Sequence, residues 1–194
     1  MTQGINNNAL RVGDSGQLNA ATSIWWNYRQ LSALVASPGA SGATFVPPGA
    51  NTAGGYQIDG PTEYLYFGGD IHDDWDGSSN VEVEVYFETN VDNSGGLVTD
   101  DVYLQLDVFM KGSLEDTCRN QTLGVPVVVG QADQYVQFSC EFKIDFDDLS
   151  DPVNVGDVVG MRLNMESELS DVTNIIVNHL EFKYKSTKPN AIEV

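Results

Sequence analysis

Residues 134–146 read QYVQFSCEFKIDF, and this stretch decides the fold. Val136, Phe138, Cys140, Phe142, Ile144 and Phe146 fall on one side of a period-two pattern. Tyr135, Gln137, Ser139, Glu141, Lys143 and Asp145 fall on the other. Such alternation sets one apolar face of a β-strand against a core and leaves the other to solvent. Two more stretches follow the same logic, residues 158–165 and 173–184, reached through turn signals at Asp151-Pro152 and Gly156-Asp157. Three half-buried strands need partners, and the rest of the chain has to supply them.

Working outward, residues 81–87 place Val81, Val83, Val85 and Phe87 inside and Glu82, Glu84 and Tyr86 outside. The acidic row Glu82, Glu84 and Glu88 marks a solvent face near a sheet edge. Val102, Leu104, Leu106, Val108 and Met110 define another strand. Residues 123–129 form an apolar run interrupted by Pro126, which suits an edge or a bulge. Residues 62–67 and 44–46 read as short strands. Residues 24–35 carry Ile24, Tyr28, Leu31 and Val35 at helical spacing, but adjacent Trp25 and Trp26 choose no face. An extended segment is the better fit there, with room for a short helical turn. Residues 37–60 hold Pro38-Gly39, Pro47-Pro48-Gly49 and Gly54-Gly55, a loop of repeated reversals. A loop this long covers something or contacts a partner. Seven or eight strands with no confident long helix predict an all-β, antiparallel β-sandwich of jelly-roll or Greek-key type. The expected organisation is an extended N-terminal arm at 1–22, one sandwich domain at 23–188 and a C-terminal tail at 189–194.

Charge bounds the partners. The 194 residues carry 28 acidic and 9 basic side chains, a formal net charge of −19. That excludes nucleic acid as the principal partner, because phosphate binding needs clustered Lys and Arg. It equally disfavours an anionic membrane surface. Residues 1–20 show neither a basic start nor an apolar run, so no secretory signal is expected. Two cysteines make no disulfide framework. Cys140 falls on the apolar face of its strand and reads as a buried thiol, whereas Cys118 sits in a polar turn.

Candidate chemistry is sparse. Asp70, His72, Asp73, Asp74 and Asp76 resemble the opening of a calcium loop, but the bidentate acid such a loop needs at its twelfth position is Val83. A solvated turn is the simpler reading, and it serves equally for Asp145, Asp147, Asp148 and Asp151. His179 is read on one face with Ile175 and Val177, as a structural residue. No nucleophile elbow, zinc motif or phosphate loop is present, so neither catalytic residue nor metal nor cofactor is assigned. The sequon at Asn120 reads as chance without a secretory signal.

The ending carries a resemblance. Residues 155–165, VGDVVGMRLNM, and residues 174–184, NIIVNHLEFKY, resemble the C-terminal half of jelly-roll structural proteins of tailed bacteriophages. The upstream order is similar: Trp25, Trp26, Tyr28 and Arg29, a Pro/Gly stretch, then EYLYF at 63–67 before Asp70-Ile71-His72. The resemblance implies a non-enzymatic virion component, of head-decoration, head-fibre or tail type. It implies a symmetric homo-oligomer whose partners are other capsid or tail proteins, made in the host cytoplasm and located in the virion. Leu10, Val12, Trp25, Trp26, Tyr28 and Phe45 are the candidate interface, on the arm and the Pro/Gly loop. The alternative is a carbohydrate-binding module for host glycans, with Trp25, Trp26, Trp75 and Tyr66 as stacking faces.

Overall fold

The alternating stretches become strands because their β-branched and aromatic side chains suit a pleated, half-buried surface. The computed structural model describes the backbone of residues 11–12, 18–19, 25–32, 37–38, 42–166 and 168–186, with side chains for 42–166 and 168–186. In chain order the strands are β1 (Arg11–Val12), β2 (Leu18–Asn19), β3 (Trp25–Ser32), β4 (Ser37–Pro38), β5 (Thr44–Val46), β6 (Gly55–Ile58) and β7 (Leu65–Asp70). Then come β8 (Val81–Thr89), β9 (Asp101–Lys111), β10 (Arg119–Val128), β11 (Gln137–Ile144), β12 (Val158–Met165) and β13 (Ile175–Ser186). No helix occurs among the described residues.

The pairing defines a jelly roll. β6 pairs with β13, β7 with β12, β8 with β11 and β9 with β10, all antiparallel. The chain from β6 to β13 is thus a ribbon doubled on itself, and alternate pairs fall into opposite sheets. One sheet runs β10-β9-β12-β7-β4; the other runs β11-β8-β13-β6-β5, with β3 also on β13. The strands of the three alternating stretches, β11, β12 and β13, do not pair with one another. β11 and β13 flank β8, while β12 lies between β9 and β7 in the opposite sheet.

Between the sheets lies the core that the alternation requires. Val83, Val85 and Phe87 of β8, Phe142 of β11 and Phe182 of β13 meet Leu104, Leu106 and Met110 of β9 and Met161 and Leu163 of β12, all buried. Pro126 stands on β10, an edge strand, where a residue without an N–H is tolerated. Residues 25–32 form strand β3, in line with the extended reading. Cys118 and Cys140 are both free, and burial pushes the Cys140 thiol up to about 12.

Two expectations need correction. β8 is no edge strand, since it has neighbours on both sides, and Glu88 is buried rather than solvated. His179 does not share a face with Ile175 and Val177. Those two side chains are buried, but a bulge inserts Asn178 between Val177, opposite Phe87, and His179, opposite Tyr86. One extra residue shifts the phase of the strand, so His179 faces outward and Leu180, Phe182 and Tyr184 face the core.

On that outer face His179 stacks on Tyr86 at 4.3 Å and 11°. Burial pushes the imidazole below its usual range, against the opposing pull of Glu181 and Glu84. Burial would raise the Glu84 carboxyl, but hydrogen bonds from Lys183, Ser139 and Tyr86 outweigh it and hold the group low. Both shifts have one sign: as pH falls, the unfolded chain takes up each proton before the folded chain does. Stability present above about pH 6.5 is therefore lost on acidification, first through His179 and then, below the usual carboxylate range, through Glu84. In thermal melts across the upper part of this range, His179→Gln should lose less of its midpoint on acidification than wild type.

Candidate functional site

The outward side chains of the five-stranded sheet form an organised polar surface. Register builds it row by row. Thr122 of β10 stands opposite Asp107 of β9, Asp107 opposite Arg162 of β12, and Arg162 opposite Tyr66 of β7. In the neighbouring row Phe109 stands opposite Gly160, and Gly160 opposite Gly68. A Cβ on either glycine would meet nothing nearer than a carbonyl oxygen at 4.0 Å. These two positions leave a bare strip of sheet beside the rings of Phe109 and Tyr66.

Asp107 anchors the face. Its Oδ2 accepts from Arg162 Nε at 2.9 Å and Nη2 at 2.5 Å, and its Oδ1 accepts from Thr122 Oγ1 at 2.8 Å. Its side chain is buried to 6% exposure, while that of Arg162 keeps 34%. The guanidinium lies over the Tyr64 ring at 4.5 Å and near the Phe109 ring at 5.7 Å. The hydrogen bonds to Asp107 hold the Arg162 charge in place against the cost of burial. A planar cation clamped by a carboxylate and stacked between rings has few rotamers left, so its outward edge is fixed before a ligand arrives. Tyr66 is 42% exposed and lies tilted against Tyr64 at 6.3 Å. Farther along, the Tyr103 ring lies across Gly124, where a Cβ would meet its hydroxyl at 2.1 Å. Chemically the face offers ring surfaces, a fixed donor and side-chain amides.

The residues expected from sequence fare differently. Leu10 lies outside the described residues. Val12, Trp25, Trp26 and Tyr28 are placed as backbone of β1 and β3, with side chains outside the described set. Phe45 is 50% exposed on β5, edge-on to Tyr56 at 5.7 Å. Tyr66 is on the face, but Trp75 is not a stacking platform. It is 6% exposed, with its Nε1 donating to the Ser79 carbonyl at 3.1 Å. The acidic loop before it is tied to β13. Asp74 accepts from the Tyr184 hydroxyl at 3.0 Å and from Ser186 Oγ at 2.9 Å, and the His72 ring stacks on Tyr184 at 6.2 Å. Ligand atoms of His72, Asp73 and Asp74 lie within 4.8 Å of one another. Asp148 behaves as the turn former expected, capping the backbone of Ser150 and Asp151.

Sequence reading missed Asp107, Arg162, Phe109 and Tyr64. The signal was available in the alternation of residues 102–110, whose solvent side carries Tyr103, Gln105, Asp107 and Phe109. A Phe on the polar side of a strand asks for a partner.

No protein-family model matches the chain, and no curated protein sequence does. Solved structures similar to it include a carbohydrate-binding module, CBM36, in complex with calcium and xylotriose, at 12% identity and a TM-score of 0.43, over 79% of this chain and 98% of that one. A xylan-binding module, CBM15, is similar at 9% identity and a TM-score of 0.40, over 84% and 97%. The structure of infectious bursal disease virus, Gt strain, is similar at 11% identity and a TM-score of 0.40, over 91% of this chain and 36% of that one. Likeness at these scores says nothing of a ligand or a partner.

Proposed function

We propose that the protein is a non-enzymatic, glycan-binding jelly roll whose outer five-stranded face takes a sugar chain. The observation that supports this is Arg162, fixed between Asp107 and Tyr64 beside the exposed Tyr66 and the bare Gly68–Gly160 strip. Sugars present apolar C–H faces and hydroxyl edges. Ring surfaces bury the first and a fixed guanidinium and amides bond the second. The shape fits an extended chain better than a terminal sugar, because the strip is open and shallow.

Affinity electrophoresis through soluble polysaccharides, with a glycan array to choose them, tests the reading. Wild type should be retarded by at least one glycan. Tyr66→Ala, a surface change that leaves the core untouched, should weaken binding roughly tenfold, as expected for one lost aromatic contact. Retention by none of the glycans, or equal retention of both proteins, contradicts it.

A structural place in a tailed-phage virion is the second reading, supported by the resemblance of residues 155–165 and 174–184. In it the chain is a homo-oligomer bound to capsid or tail proteins. The two readings are compatible if the glycan face points outward from the particle. Immunogold labelling of intact virions decides it.

A further inference from the structure

On the outer face of the six-stranded sheet a carboxylate lies buried where exposure would be ordinary. Glu88 of β8 is 4% exposed, the bulge residue Asn178 is 8% exposed, and Ile176 beside them is fully buried. Ala53 and Gly54, at the end of the Pro/Gly loop, are tied across them. Ala53 N donates to Glu88 Oε1 at 3.0 Å, and Asn178 Nδ2 donates to the Gly54 carbonyl at 2.8 Å and to Glu88 Oε1 at 3.1 Å. Gly55 presses against the floor, where a Cβ would sit 2.0 Å from the Val177 carbonyl oxygen.

Both Asn178 amide hydrogens and the Ala53 N–H are used, and two side-chain acceptors are left over. Glu88 Oε2 and Asn178 Oδ1 are buried without a hydrogen-bond partner. Glu88 enters no ion pair among the described residues. A buried carboxylate oxygen and a buried amide oxygen, both unpartnered, would each carry a desolvation cost. Both are hard oxygen atoms of the kind metal cations take as ligands.

We infer that the buried Glu88–Asn178 pair beneath Ala53 and Gly54 binds a hard, oxygen-seeking metal cation, with Glu88 Oε2 and Asn178 Oδ1 as its side-chain ligands. A carboxylate, an amide oxygen, backbone carbonyls and waters make up calcium's donor set; sodium uses the same atoms with less charge. The ion satisfies both orphaned oxygens at once and neutralises the buried charge. It also fastens the loop to the sheet, because Ala53 and Gly54 are hydrogen-bonded to the same two side chains. The bulge has a purpose in this picture: the extra residue brings the Asn178 amide under the loop.

The test uses the full chain, stripped with chelator, at near-physiological salt so that the acidic surface is screened. Calorimetric titration with calcium chloride should show about one saturable site per chain. The site should be lost in Glu88→Gln and weakened at least tenfold in Asn178→Ala. It should persist in Asp74→Asn, which alters the other carboxylate cluster. Thermal midpoints should rise with calcium in wild type and stay flat in Glu88→Gln. Where calcium gives no heat, melts in sodium against choline chloride form the second arm, and a sodium-specific rise lost in Glu88→Gln assigns the monovalent ion. Unchanged binding in both Glu88→Gln and Asn178→Ala, or no response to either cation, overturns the inference and leaves the two oxygens to a buried water. If Glu88→Gln does not fold, Asn178→Ala alone carries the comparison.

Discussion

Gly55→Ala is expected to remove about 3–5 kcal/mol of folding stability, a large share of what a domain of this size has. Gly55 opens β6 with φ at +150°, a conformation L side chains rarely adopt. A Cβ there would lie 2.0 Å from the Val177 carbonyl oxygen, 2.8 Å from its carbon and 3.2 Å from Asn178 Cα. All three atoms are backbone of the central strand, so none can rotate away. Relief requires β6 and β13 to part, which opens the ribbon at its first pair. Gly77→Ala is the control. Its φ is also positive, at +67°, but nothing lies within 4 Å, so only the backbone penalty of roughly 1 kcal/mol applies. Urea denaturation of the two variants should separate crowding from conformation.

Arg119→Ala should cost about 3 kcal/mol, because it strands a buried charge. Asp157 is 1% exposed, and its Oδ1 receives Arg119 Nη2 at 2.7 Å while its Oδ2 receives the Asn154 amide at 2.8 Å. Arg119 also bonds the Pro152 carbonyl and reaches Glu115 at 3.2 Å. One guanidinium thus joins the start of β10 to the connection between β11 and β12. Lysine should not restore the loss, since a point-like ammonium cannot serve a carboxylate and a carbonyl at this separation. Adding Asp157→Asn to Arg119→Ala should recover part of it. A double-mutant cycle by chemical denaturation measures the coupling.

How far the sequence reached depends on which physical signal each element carried. Alternation announced β8, β9, β11 and β12, because each is half-buried and regular. It also gave the class of the fold. The pairing of β6 with β13 was not legible, since residues 55–58 are short and their partner lies more than a hundred positions away. Within residues 173–184 the phase change was written in the residues: Ile175 and Val177 are odd, Leu180, Phe182 and Tyr184 even. Reading His179 with the first pair ignored the second set. Trp75, read as a stacking face, is instead core: the carboxylates beside it serve β13 and the turn while the indole packs inward. Of the outer face, only Tyr66 was singled out. Charges on a solvent side look generic until register shows Asp107, Arg162 and Tyr66 in one row.

The ribbon doubled on itself also fixes when this molecule can become native. β13 is the central strand of its sheet, holding β8 along one side and β6 and β3 along the other, and it is synthesised after all of them. Until residues 175–186 leave the ribosome, β8 has an open edge and β6 has only β5. No early hairpin can bypass this, because the outermost pair of the ribbon joins its two most distant strands. Half the sandwich therefore assembles only once residues 175–186 have emerged, through pairings of long sequence separation, and the open edge of β8 is exposed to edge-to-edge association while it waits.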